Sequence, residues 1–230
     1  MKQTLILNLL LIILFWGCTP IYYSANTQNV PMITNKGETN LTFAGNADRV
    51  EFQGALGVSE RFALMADGGF YIPKDNDNGD GGSGRFVEVG GGYFRPIDNQ
   101  FVFETYGLLG FGKMENHFTS GGDISAGLLR YGIQPGFGFK TKYFSAAIST
   151  RIVSLNYSNI KGNLVYNGEN QIAYLNDNKS NFLLEPALTV RGGLEKIKLQ
   201  VQLGRSFNLS NSNFKQDFPF ATVGLNFNFK

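Results

Sequence analysis

Seven charged residues occupy positions at which a narrow barrel would bring them together, and they are the residues of this chain best placed to do chemistry. Four acidic residues come first along the chain, and two arginines and a glutamate follow: Glu51, Asp67, Glu88, Glu104, Arg130, Arg151 and Glu185. Each belongs to the polar set of a segment in which apolar and polar residues alternate, so each would face the inside of a barrel. We therefore predict a lumen in which an acidic wall faces a basic wall.

Such a lumen charge network has two possible roles. Unpaired charges in a confined space are costly, and ion pairing removes most of that cost. Because side chains fill small barrels, the first prediction is a salt-bridged lumen that holds the barrel shut. The alternative is a narrow ion or small-solute channel, because rings of charged side chains confer selectivity on pores.

The histidine His117 raises the question of catalysis, since Glu115 and Asp123 lie near it in the sequence. A general base needs a partner held within hydrogen-bond reach, and the sequence shows no recognisable constellation of this kind. We predict that the protein is not an enzyme, and we do not favour a hydrolase at the barrel rim that uses His117.

An acidic loop invites a calcium interpretation, because calcium prefers clustered carboxylate oxygens. The candidate ligands are Asp75, Asp77 and Asp80. The register of an EF-hand fails, however, because a loop that begins at Asn76 has Val87 where a bidentate glutamate is required. We therefore predict a solvated loop tip, with no metal ion and no cofactor.

The polypeptide begins with a short apolar run that is typical of a signal peptide, which we assign to residues 1–17. Gly17 directly before Cys18 resembles the lipobox of bacterial lipoproteins, and this resemblance implies cleavage before Cys18 and acylation of its thiol. An ordinary secretory signal is the alternative. Cys18 is the sole cysteine, so it cannot form an internal disulfide. Residues 18–36 are predicted to be a lipid-anchored periplasmic tether.

Residues 37–230 are predicted to form an all-β domain. The last segment shows the pattern most clearly, with alternate apolar residues from Ala221 to Phe229. Ten such segments predict a closed antiparallel up-and-down transmembrane barrel, with eight strands as the alternative. The predicted strands cover residues 37–46, 49–58, 61–72, 85–95, 100–114, 124–140, 143–155, 180–191, 197–208 and 218–229.

The apolar set is predicted to face lipid, which makes outer-membrane lipid the expected surroundings. Aromatic residues near the tight turns predict a girdle at the membrane boundary: Phe62, Tyr93, Phe101, Phe139, Phe144, Phe227 and Phe229. The 29 glycines fit a narrow lumen that needs small side chains. A soluble periplasmic barrel of the lipocalin type, with an apolar ligand cavity, is a further alternative.

Tight turns alternate with longer connections, as in outer-membrane barrels. The longer ones are predicted at residues 73–84, 115–123, 156–179 and 209–217. An even number of strands puts both barrel ends on the tight-turn side, which predicts an N-terminus in the periplasm. The tyrosine-bearing loop 156–179 is a possible site for an external ligand. The net charge is only +2, and the sequence has no basic aromatic platform, so we predict no nucleic-acid partner.

The chain resembles the family of small bacterial outer-membrane β-barrels over residues 37–230. Short motifs resemble a subgroup with lipoprotein-type signals: Asn29-Val30-Pro31, Lys36-Gly37-Glu38, Gln53-Gly54-Ala55 and Ala63-Leu64-Met65. The resemblance implies fold and location only. We predict an outer-membrane barrel of structural or interaction type, with a charged, side-chain-filled lumen and external loops.

Overall fold

The computed structural model describes residues 20–75, 80–98, 100–119 and 121–229. The predicted signal peptide and Cys18 lie outside these residues. The ten barrel strands are β1 (Thr39–Asn46), β2 (Arg49–Gly57), β3 (Phe62–Asp75), β4 (Gly81–Ile97), β5 (Phe101–Phe118), β6 (Gly122–Lys140), β7 (Phe144–Gly162), β10 (Ser180–Gly193), β11 (Ile197–Arg205) and β13 (Pro219–Phe229). The smaller elements are β8 (Val165–Tyr166), β9 (Glu169–Asn170), helix α1 (Gln171–Asp177) and β12 (Phe207–Asn208).

Each barrel strand pairs antiparallel with its neighbours, and the sheet closes on itself. Strand β1 pairs with both β2 and β13, while β11 pairs with both β10 and β13. The prediction of a closed ten-stranded antiparallel barrel is therefore confirmed. Within the residues that the structure describes, no helix is long and apolar enough to cross a membrane.

The alternation of residues decides which side chains face outward. Val87 is 60% exposed and Ile148 is 63% exposed, whereas Glu88, next to Val87 in the chain, is 1% exposed. Successive side chains of a strand point to opposite faces, so this contrast repeats along every strand. The outer surface is apolar, and the interior holds the buried charged and polar side chains together with a cluster of buried apolar ones. Burying charged side chains while exposing apolar ones is the reverse of a barrel that dissolves in water.

Aromatic rings form neighbouring pairs around one end of the barrel. The ring centroids of Phe62 and Tyr93 are 6.0 Å apart, and those of Phe101 and Phe139 are 5.4 Å apart. Phe139 also lies 6.5 Å from Phe144. We call this end the tight-turn rim, because the short connections at residues 58–61, 98–100, 141–143 and 194–196 lie there. We call the opposite end the loop rim.

Two predicted long loops are wrong, because the strands continue through most of them. The ladder of β4 and β5 extends to the pair Gly81 and His117, and the ladder of β5 and β6 extends to Phe118 and Gly122. Backbone hydrogen bonding does not require an apolar face, so the ladder continues where the sequence becomes polar. Strands β3 to β7 consequently reach farther towards the loop rim than the sequence predicted.

The loop 156–179 is folded rather than open. Strand β7 runs through its first third, and the hairpin of β8 and β9 leads into helix α1. The Asn170 side chain caps this helix by accepting hydrogen bonds from the amides of Ile172 and Ala173 at 3.0 and 3.1 Å. The Tyr174 ring stacks on Phe214 at 6.3 Å, and Leu175 is buried. These groups form an apolar cap at the loop rim.

Most of the described chain before β1 does not form a tether outside the barrel, so this prediction is wrong for residues 22–33. Residues 22–33 are buried inside the barrel, with Ser24 half-buried, and they run through the lumen from one rim to the other. At the loop rim, the Tyr22 amide donates to the Lys215 carbonyl at 2.9 Å. At the tight-turn rim, the Gly37 amide donates to the Gly57 carbonyl at 2.7 Å. We call residues 21–34 the threaded segment.

The threaded segment changes the position of the N-terminal end. Strand β1 begins at the tight-turn rim, as the even strand number requires. The chain before it returns through the lumen, however, so Pro20 lies at the loop rim. The even number of strands therefore correctly predicts the rim at which the first strand begins, but it does not predict the rim at which the described chain begins.

Candidate functional site: the occupied lumen

The acidic residues of the lumen receive donors from the threaded segment. The Thr27 amide donates to Glu51 Oε2 at 2.9 Å, and the Met32 amide donates to Glu104 Oε2 at 3.0 Å. Asp67 Oδ1 accepts from the Asn29 side chain at 2.7 Å. All three carboxylates are buried. The acidic wall therefore satisfies N–H groups that a buried peptide would otherwise leave unpaired.

The two predicted arginines converge on Asn26. Its side-chain oxygen accepts from Arg130 Nη2 at 2.7 Å and from Arg151 Nη1 at 2.8 Å. Its carbonyl accepts from Arg151 Nη2 at 2.7 Å. Arg130 Nη1 also donates to the Tyr23 hydroxyl at 2.8 Å. The basic wall therefore satisfies acceptors of the same segment whose donors bind the acidic wall.

Among the described residues of the predicted network, direct ion pairs join one group of four. Glu88 pairs with Arg130 at 2.8 Å, and Arg151 pairs with Glu185 at 2.9 Å. Arg151 Nη1 lies 3.8 Å from Glu88, so the two pairs are joined. The structure brings these four residues together, while Glu51, Asp67 and Glu104 contact the threaded segment. The prediction that side chains fill the lumen needs correction, because a stretch of backbone fills its centre.

Several polar residues that bind the segment were missing from the predicted network. They are Arg49, Gln53, Gln134, Arg191 and Gln202. The alternation of inward and outward residues could have predicted two of them. Arg49 faces inward with Glu51 on β2, and Arg191 faces inward with Glu185 on β10. The glutamines carried no charge to attract notice, although they are buried on the same faces.

Glu38 fastens the segment where it turns into β1. Its carboxylate accepts hydrogen bonds from the Thr34 amide at 2.7 Å and from the Asn228 side chain at 3.0 Å, and it pairs with Lys140. Burial alone would raise the pKa of this carboxyl. The charge of Lys140 and these hydrogen bonds outweigh burial and lower the pKa from 4.5 to about 2.

The barrel interior also contains a partly open cavity of about 410 Å³ near the loop rim. It lies between the first residues of the threaded segment and the walls of β3 to β6. Tyr71, Phe86 and Met114 line its sides, and Glu88 and Arg130 lie at its polar end. The guanidinium of Arg130 is already bound by Glu88, Tyr23 and Asn26, so it offers little to an added ligand.

The other candidate residues lie apart from the lumen network. His117 is exposed near the end of β5, in register with Asp123 of β6. Asp80 Oδ1 accepts from the Thr119 amide at 2.9 Å, Asp75 ends β3, and Asp77 lies outside the described residues. Among the residues that the structure describes, no three His, Cys, Asp or Glu side chains gather as a metal site.

No protein-family model and no curated protein sequence matches this chain. Two similar solved structures are a KdgM porin and a NanC porin. The KdgM porin is 8% identical with a TM-score of 0.38, and the match covers 84% of this chain and 99% of that chain. The NanC porin is 11% identical with a TM-score of 0.33, covering 84% and 98%. At these scores, the argument for a barrel rests on the strand pairing itself.

Proposed function

We propose that this chain is an outer-membrane barrel of structural or interaction type whose lumen is closed by its own N-terminal segment. Its location is supported by the apolar outer surface and by the aromatic pairs at the tight-turn rim. The buried carboxylates and arginines of the lumen argue against a soluble lipocalin-like barrel, in which an apolar lumen would hold the ligand.

The observation that carries the proposal is the threaded segment. An extended chain in a ten-stranded barrel occupies the path that solutes would take. The segment is held at both rims and along its length, with Asn26, Thr27 and Gln28 each at most 2% exposed. The folded cap lies over its loop-rim end. We infer that the full chain is not an open pore at rest.

Planar-bilayer recording tests this proposal. The full chain is expected to give no stable conductance. The control removes residues 21–34, which is expected to give steady ohmic conductance through a lumen lined by charged residues. Heat-modifiable migration on a gel, a property of folded barrels, verifies that each protein has folded. Steady ohmic conductance of the intact chain would contradict the proposal.

A gated channel is the second candidate, favoured by the way the segment is held. Its backbone joins the barrel by a single isolated bridge among the described residues, between Tyr23 and Gln216, and otherwise through side chains. A segment outside the ladder can leave without unzipping a strand. Asn29→Cys with Asp67→Cys, in a Cys18→Ser background, would cross-link the segment to β3. If the chain is gated, brief openings should vanish on oxidation and return on reduction.

We also propose the orientation of the protein. External loops are the longer ones in outer-membrane barrels, so the loop rim would face outward. Since Pro20 lies at that rim, the described chain would enter the lumen from outside the cell, in contrast to the predicted periplasmic N-terminus. Acylation of Cys18 stays a prediction. An epitope inserted after Thr19 should bind antibody on intact cells, whereas one inserted after Lys142 should need permeabilised cells. The opposite pattern would reverse the orientation.

A further inference from the structure

We propose that the lumen is a binding tunnel for an extended, uncharged polypeptide, which it recognises mainly through the peptide backbone. The threaded segment occupies this tunnel in the intact chain. The same site would accept a segment of like chemistry from another protein when its own segment is displaced. This inference concerns the lumen alone and does not depend on the membrane location proposed above.

Carbonyl recognition is continuous along the centre of the segment. From Ser24 to Val30, every carbonyl accepts a hydrogen bond from a side chain of the wall. The donors, in the order of the carbonyls, are Tyr71, Arg49, Arg151, Gln53, Gln202, Gln134 and Arg191. These donors come from β2, β3, β6, β7, β10 and β11, so six of the ten barrel strands take part.

Gln202 shows how a side chain can imitate a neighbouring strand. Its oxygen accepts from the Gln28 amide at 2.6 Å, and its nitrogen donates to the Gln28 carbonyl at 2.9 Å. A β-ladder offers one donor and one acceptor to a residue in the same way. Such contacts are independent of the side chain that the bound residue carries, so the tunnel reads an extended backbone with a defined direction.

The threaded segment has no charged side chains, which suits a lumen lined by charges of both signs. Residues 20–35 contain no Asp, Glu, Lys, Arg or His. Both signs of charge line the tunnel, so a charged side chain would meet an unfavourable neighbour at most depths, whereas peptide dipoles suit both walls. Asn26, Gln28 and Asn29 add side-chain hydrogen bonds. The preferred ligand is therefore an uncharged peptide that is rich in asparagine, glutamine and threonine.

Two glycines make room for the bound chain. A Cβ on Gly57 would lie 2.9 Å from Ile33 Cγ2, and a Cβ on Gly138 would lie 2.5 Å from Met32 Sδ. Both distances are shorter than real Cβ contacts. The tunnel is therefore shaped around an occupant at its tight-turn end, and not merely wide enough for one.

The test cuts the chain between the threaded segment and β1 after the barrel has folded. A protease recognition sequence is inserted after Lys36, which is exposed in the turn before β1, in a Cys18→Ser background. After cleavage in detergent, the segment is expected to stay with the barrel on gel filtration. A labelled synthetic peptide of residues 20–36 should then replace it. A peptide of reversed sequence is the matched control and should bind at least about tenfold more weakly, because its carbonyls and amides are out of register.

Variants of the wall sharpen the test. Gln202→Ala should weaken peptide binding by about tenfold, since it removes both hydrogen bonds to the Gln28 backbone. Asn226→Ala is the matched control, because this buried amide bonds Asn40 and Thr42 of the wall instead of the segment. Heat-modifiable migration verifies that every barrel is folded.

Three outcomes would overturn the proposal. In the first, the cleaved segment leaves and no labelled peptide binds. In the second, the reversed peptide binds as well as the native one. In the third, the segment stays but never exchanges below the unfolding temperature of the barrel.

Discussion

At the scale of single residues, the fully buried Arg151 shows how this lumen tolerates charge. It pairs with Glu185 and donates to both oxygens of Asn26. Glu185 in turn accepts from the Tyr23 hydroxyl at 2.8 Å and from Ser206 at 3.0 Å. Each of the two side chains has polar partners around it, which offsets the cost of burying an ion pair.

Replacing Arg151 by methionine should therefore lower the free energy of unfolding by more than the net stabilisation that the ion pair with Glu185 provides. Glu185 would remain buried without its cation, and we expect the free energy of unfolding to fall by about 3–5 kcal/mol. Urea unfolding in detergent, followed by circular dichroism, measures this loss. The double variant Arg151→Met with Glu185→Gln should recover part of it. A double variant less stable than the single one would contradict this account.

Glu38 predicts a pH dependence of stability. Its pKa is lowered from 4.5 to about 2 in the folded state. A carboxylate with a depressed folded pKa adds stability that is fully present above about pH 4.5 and is lost as the pH falls towards about 2. Between these values the intact chain should lose more urea resistance than Glu38→Gln does. Parallel pH profiles for the two proteins would show that Glu38 is not responsible.

At the scale of elements, the turn into β1 must pass very close to β2. Gly57→Ala would bring a methyl group within 2.4 Å of the Asn35 carbonyl oxygen. We expect a loss of about 1–3 kcal/mol, together with faster proteolysis between residues 33 and 37. Gly136→Ala is the control, because its added methyl would meet its nearest neighbour at an ordinary 3.5 Å. Equal effects of the two substitutions would refute this explanation.

The strands were predictable because their signal is local. An apolar residue next to a charged one, such as Val87 beside Glu88, indicates which face of the strand points inward. Because side chains alternate with a period of two, the faces of the remaining residues in the strand follow. The strand ends at the loop rim were harder to predict, because the ladder from Gly81 to Phe86 continues through glycine and serine that carry no apolar alternation.

The threaded segment could not be predicted in the same way. Its residues do not alternate, they form no ladder beyond the isolated bridge of Tyr23 with Gln216, and its partners come from strands scattered over the sequence. Gln28, for example, bonds Gln202 across 174 positions. Such a fit exists only after the barrel has closed, so the local pattern of residues 20–36 resembles an ordinary polar linker.

At the scale of the whole molecule, the outer surface predicts how substitutions depend on depth. Ile148 lies on the outer face of β7, four residues from the tight-turn end of the strand, and Leu194 lies in a tight turn. Both are well exposed. In a bilayer, Ile148→Arg should destabilise the barrel by about 2–4 kcal/mol, and Leu194→Arg by about 0–1 kcal/mol. Urea titration in lipid vesicles measures both, and equal small effects would favour a soluble barrel.

The passage of the chain through its own barrel also imposes an order of assembly. Strand β13 completes the ring by pairing with β1, so a chain outside the lumen can enter only end-on once that seam has formed. A short peptide can pass in this way, whereas a bulky group attached ahead of Pro20 would block the passage. A chain that carries such a group would have to be enclosed by the barrel wall before the seam between β1 and β13 closes.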